Sequence, residues 1–210
     1  MRGRNYLLAM VLAGSLRGGV AAQGEPPKSA PVAPDPALCQ VEARPIADFA
    51  AFLGTPPAAT ASPPAALGAK EVTVPEGEPA DAATIEAVTA TIHTYYACRN
   101  GNDLLRAFTL LTDDGFDRAL TLTGMSEKEL AFLAETPGST DKRDWEAVAI
   151  SEVVILPDQR VAARIDGIGV GETFRGIVLL VPGDDRHRID ELTIVHDALP
   201  GKETPPAKVG

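Results

Sequence analysis

Cationic side chains are scarce in this sequence. Lysine and arginine total 19 against 29 aspartates and glutamates, a formal net charge of −10. Between Ala80 and Leu199 there are 11 basic and 21 acidic residues, so the imbalance lies in the body of the chain. A surface of that sign repels a phosphate backbone and anionic lipid headgroups, which argues against nucleic acid and anionic membranes as partners. Cysteines number two, with no Cys-x-x-Cys, and the three histidines (His93, His187, His196) follow no ligand spacing. No metal site and no cofactor is expected. A Gly-x-Ser-x-Gly is also lacking. The stretch "GIGVGE" falls between strand-like segments and opens no helix, so neither the dinucleotide nor the P-loop context is met.

What the chain does have is uneven. Arg2 and Arg4, the apolar run of 11 residues Tyr6–Leu16 and the small residues Val20-Ala21-Ala22 read as an export signal, 1–22, cleaved after Ala22. That run is too short to span a bilayer. The expected location is therefore extracytoplasmic or secreted, with no membrane span. Of the 18 prolines, twelve lie between Pro26 and Pro79 and three between Pro200 and Pro206. Residues 23–38 read as a Pro/Ala-rich tether, 55–79 as a Pro-rich linker and 200–210 as a disordered tail. Between the first two, Cys39 to Gly54 suggests a short amphipathic helix with Ile46, Phe49 and Leu53 on one face.

The domain proper is expected over 80–199. A long helix runs from about Ala82 to Asn100, capped by Asp81, with Ile85, Val88, Ile92 and Tyr96 on one face. Asn100-Gly101 offers a left-handed stop. Asp103 can cap a second helix to Leu111. Thr112 or Asp113 can cap a third short one, and Asp113-Asp114 read as capping residues. Ser126 and Glu129 form a capping box, with Met125 and Leu130 placed for a hydrophobic staple. After Trp145 the apolar period changes from helical to alternating. Strands are predicted at Trp145–Leu156, Arg160–Ile168, Phe174–Val181 and Arg186–His196, with a flexible bend at Gly167, Gly169 and Gly171. Asp190 and Glu191 would face opposite ways, with Arg164 and Arg188 as candidate ion-pair partners. Helices first and a strand meander last predict an α+β fold, its curved sheet wrapped around the long first helix.

An even cysteine count in an exported chain suggests a disulfide. Cys98 shares a side of the long helix with Ala87, Thr91 and Thr94, small residues that admit a close neighbour. The Ile46–Leu53 helix is the candidate for that place. Cys39–Cys98 would then staple the N-terminal segment to the domain. The alternative is two unrelated buried thiols.

The stretches "RNGNDLLRAFTLLTDD" and "DDRHRIDELTIV" resemble the SnoaL-like and ketosteroid-isomerase-like superfamily, also called nuclear-transport-factor-two-like, over about residues 80–196. The resemblance implies a cone-shaped curved sheet, antiparallel or mixed. By that resemblance Tyr95 falls where ketosteroid isomerases keep a hydrogen-bond-donating tyrosine. Their general base would fall near Ala119, with Asp117 the nearest carboxylate. A donor without a base can bind a carbonyl but cannot move its α-proton. The leading expectation is thus a non-catalytic domain binding a small apolar molecule, in a cavity lined by Tyr95, Tyr96, Ile92 and Phe108, or binding a partner protein. The alternative is a small isomerase, hydrolyase or cyclase acting in the cone through Tyr95, His93 and Asp117. The family also implies a homodimer through the sheet.

Overall fold

The structure, a computed structural model, describes residues 30–50, 72–123, 126–136 and 144–198. The expected export signal, the tail, most of the linker and the staple residue Met125 lie outside the described residues. The fold is α+β, with one five-stranded antiparallel sheet in the order β1-β2-β3-β4-β5. In chain order the elements are α1 (Ile46–Ala50), β1 (Glu78–Pro79), α2 (Ala82–Asn100), α3 (Leu104–Thr109), α4 (Asp113–Thr123) and α5 (Glu127–Glu135). β2 (Trp145–Ile155), β3 (Val161–Gly169), β4 (Glu172–Val181) and β5 (Arg188–Ala198) follow.

Helix α2 begins where the Asp81 carboxylate accepts from the Thr84 amide at 2.7 Å, satisfying one of the free donors of the first turn. Burial starts only at Val88; Ile85, one turn earlier, stays 37% exposed. The helix ends at Asn100, as expected, but the left-handed residue comes one position later than the Asn-Gly pair suggests. Gly101 has an ordinary φ of −75°, and Asn102 carries the left-handed turn at φ 53°. Asparagine tolerates that region better than other L-residues do. Asp103 then caps α3 through the Arg106 amide, and Thr112 Oγ1 accepts from the Gly115 amide at 2.9 Å to start α4. Asp113 and Asp114 are first-turn residues of α4, and Thr112 is its cap. The Ser126–Glu129 capping box is present at the start of α5.

Strand β2 is irregular. Its register shifts twice, and Glu152, at φ 49°, lies in the shift between Ser151 and Val154. β1 pairs with the end of β2, Glu78 with Ile155 and Pro79 with Val154. A two-residue edge strand carries no readable period, and its position falls within the stretch read as linker. Only the end of the glycine-rich run bends: Gly171, at φ 85°, lies in the β3–β4 turn, whereas Gly167 and Gly169 belong to β3. Gly167 pairs with Phe174 inside the β3–β4 ladder, and a Cβ there would lie 2.1 Å from the Phe174 ring. The glycine makes room for an aromatic ring that the core needs.

The N-terminal segment is part of the body from Ala30 onward, which corrects its reading as a tether through residue 38. Val32 exchanges two backbone hydrogen bonds with Val148, each 2.9 Å. A 3-10 turn, Pro36–Leu38, is capped by Asp35 and packs against α2. Cys39 and Cys98 are joined by a disulfide with a Cα–Cα distance of 4.7 Å. This turn occupies the Cys98 side of α2. The α1 helix sits elsewhere, against α5. Phe49 dictates that position: its fully buried ring lies 4.6 Å from the Phe116 ring and 6.3 Å from that of Phe108. Arg44 pins the approach, its amide donating to Thr109 Oγ1 at 2.9 Å and its guanidinium pairing with Asp113 at 2.8 Å.

Two stability measurements follow from this seating. Bonding residues 59 apart in sequence restricts the unfolded chain by about 4 kcal/mol in the chain-entropy treatment. Replacing both cysteines with serine should lower the unfolding free energy by up to that amount, read by denaturant titration. Phe49→Ala should cost about 3–5 kcal/mol. A cost under about 1 kcal/mol for Phe49→Ala would mean that the segment is not seated as described.

Candidate functional site

Two open clefts lie on the sheet. The first, of about 470 Å³, is lined by Arg99 from the end of α2, Asp144 and Trp145 at the start of β2, Val170 and Glu172 at the β3–β4 turn, and Ile194 and His196 on β5. The second, about 420 Å³, lies against Pro31 and is lined by Ala147, Ala149, Asp166, Ile168, Arg175 and Asp197 among others. Arg175 and Asp197 form an ion pair of 2.9 Å, and Asp166 is paired with Arg164 at 3.1 Å. Charges already matched in this way leave the second cleft little with which to hold a ligand.

The first cleft gathers more chemistry. His196 Nδ1 lies 3.0 Å from Glu172 Oε1. Arg99 Nη1 donates to the Tyr95 hydroxyl at 3.2 Å, and the guanidinium stands 5.9 Å from that ring's centre. Burial works against the Arg99 charge, but Tyr95, Tyr96 and Asp144 together hold its pKa above the ordinary value. It is therefore a permanent cation at the cleft wall. Trp145 lies beside it, with its indole N–H buried and lacking a hydrogen-bond partner. Val170, 64% exposed, adds an apolar rim.

The residues expected to line an apolar cavity lie elsewhere. Ile92, Tyr96 and Phe108 belong to the continuous core, and none of them lines either cleft. Tyr96 is 1% exposed, stacked on Phe174 at 5.7 Å and edge-on to Trp145 at 5.2 Å. Burial raises its pKa well above the ordinary tyrosine value, so it stays neutral. Tyr95 is buried behind Arg99, which lies between it and the cleft in the hydrogen-bonded chain. Asp117 and Ala119 lie on α4 and line neither cleft.

His93 is half-buried, with Nε2 unpartnered. Asp190 is held by Thr112 at 2.8 Å, Arg118 at 3.1 Å and Arg160 at 3.3 Å, not by Arg164 or Arg188. Among the described residues no group of three or more His, Cys, Asp or Glu is gathered as a metal site, and no helix is long and apolar enough to cross a membrane.

The Tyr95–Arg99 pair could have been found from sequence, since residues four apart share a helix face. The Glu172–His196 contact could not, because it depends on the β4–β5 register. No protein-family model, no curated protein and no solved structure matches the chain significantly.

Two histidines give the pH dependence of stability. Burial lowers the pKa of His93, partly offset by its bond to the Val148 carbonyl, and burial likewise lowers that of His187. The unfolded chain then takes up protons first, near pH 6.5, so stability is full above that pH and is lost as pH falls toward the folded-state values. Asp81, Glu129, Asp158 and Asp185 are depressed by hydrogen bonds or ion pairs and act only below about pH 4. Melting temperature should therefore decline between about pH 7 and pH 5, and His93→Gln should flatten that decline. An unchanged slope would contradict the burial of a neutral His93.

Proposed function

We propose that the chain is an extracytoplasmic, non-catalytic domain of SnoaL-like type that binds a partner at its surface and holds no small apolar molecule in its interior. The observation that carries this reading is the filled interior. Ile92, Tyr96 and Phe108, the positions that would line an apolar chamber, are packed into one core with Phe174 and Trp145. An open cleft at the sheet end gathers Arg99, Asp144, Glu172 and His196 instead. The disulfide supports an oxidising compartment, where such bonds persist. A cleft with an apolar rim and a fixed cation suits contact with another polypeptide.

A second reading has one observation in its favour. The His196–Glu172 contact of 3.0 Å has the geometry of a general base steadied by a carboxylate. Arg99 in the same cleft could stabilise an oxyanion. This reading is a small isomerase, hydrolyase or cyclase working in the cleft through different residues from Tyr95, His93 and Asp117.

The purified protein, offered enone, hydroxyacyl and epoxide substrates, should show no turnover above background. Turnover that falls at least about a hundredfold in both His196→Gln and Glu172→Gln would establish the second reading in place of the first.

A further inference from the structure

β5 is the last strand of the sheet, and only its beginning is covered. Ile189 exchanges backbone hydrogen bonds with the loop before α4, donating to Leu110 and accepting from Thr112, each at 2.8 Å. Beyond that point, among the described residues, no backbone group pairs with its outer side. The orientation of the free groups follows from β4. A Cβ placed on Gly176 would lie 2.2 Å from the Thr193 carbonyl, so Thr193 turns its peptide groups toward β4. Alternation along the strand then turns the N–H and C=O of Leu192, Ile194 and His196 outward. Those groups form a ladder ready for one more strand, of the kind that natural sheets usually cover or blunt. Side chains of the same strand, Ile194 and His196, also line the first cleft.

We propose that the outer edge of β5, from Leu192 to His196, accepts an extended basic segment of another polypeptide as a sixth strand, with the neighbouring cleft taking its side chains. This rests on the reading of the chain as a binding domain and names the partner's chemistry. Main-chain bonds supply the affinity in this mode, and pockets for alternate side chains supply the choice.

Charge selects the occupant. The chain carries −10 overall. The cleft beside the edge sets two carboxylates, Asp144 and Glu172, against one fixed cation, Arg99, and Glu191 on β5 has a hydrogen bond from Thr193 but forms no ion pair among the described residues. A second copy is the obvious rival. Two β5 strands paired antiparallel about Ile194 would set Glu191 of each against Asp197 of the other, a carboxylate whose own cation, Arg175, is already engaged with it at 2.9 Å and leaves none for Glu191. Like charges directly opposite across a ladder are destabilising. Lysine or arginine at the matching positions of a partner would reverse that sign.

The test uses the mature protein and a short synthetic peptide of alternating lysine and valine. Amide hydrogen exchange and backbone chemical shifts report on the edge. Binding should slow exchange at Leu192, Ile194 and His196. It should weaken about tenfold or more when alternate peptide nitrogens are methylated, and again when glutamate replaces lysine. His196→Pro removes an outward N–H while sparing the β4 ladder, and should also weaken binding. Shifts mapped away from β5, indifference to N-methylation or no binding would each overturn the edge assignment. Protection of these amides in the free protein that disappears on dilution would overturn it in favour of a second copy. None of these results touches the substrate test above, which alone decides whether the domain is catalytic.

Discussion

Three parts of the chain meet at the side chain of Asn100. Its amide nitrogen donates to the Pro34 carbonyl at 2.8 Å and the Trp145 carbonyl at 2.9 Å, and its oxygen accepts from the Trp145 amide at 2.9 Å. The residue is 1% exposed. One side chain therefore ties the end of α2 to the start of the sheet and to the N-terminal segment. A buried amide left without partners costs about 1–3 kcal/mol per group, so this junction tolerates one arrangement. Two residues earlier Cys98 anchors the same segment covalently. The first cleft begins here too, because Arg99 lies between the two anchored residues and Trp145 is one of the tied groups.

Much of the rest is arranged around this fixed point. Tyr96, one turn before Asn100, packs on Trp145 and Phe174, which sets the distance between α2 and the sheet. Gly167 gives Phe174 its space, so a glycine in β3 contributes to where the helix rests. At the other end of the sheet the Asp190 cluster does comparable work. It joins Thr112, Arg118 and Arg160, fastening the start of α4 to β5 and to the β2–β3 turn. Asp190 also falls where β5 has two residues against one step of β4, and that irregularity decides which side of β5 each later residue faces.

Local signals predicted local structure well. Asp81, Asp103 and the Ser126–Glu129 box marked helix starts because each acts within a few residues of itself. The change of period at Trp145 marked the sheet, and the cysteine pair was legible from count and helix face. Features that depend on distant partners were not legible. Proline-rich residues 30–38 gave no sign of their bonds to Val148 and Asn100. Phe49 sits with Phe108 and Phe116, a cluster that no spacing along the chain discloses. For the site, Tyr95 and Arg99 are neighbours on one helix, whereas Glu172 and His196 meet only once the register is known.

The bond between Val32 and Val148 also has a meaning in time. Polypeptides are made from the N-terminus, and a contact can form only when both partners exist. Residues 30–35 are thus among the earliest described residues to be synthesised and among the last able to dock. Their place on β2 does not exist until Trp145 and its neighbours have been made and paired. Cys39 and Phe49 can be seated sooner, because Cys98, Phe108 and Phe116 all precede Trp145 in the chain. The finished protein hides them completely or nearly so. What waits for the C-terminal half is the junction itself, where Val32 and Asn100 stay open until Val148 and Trp145 arrive.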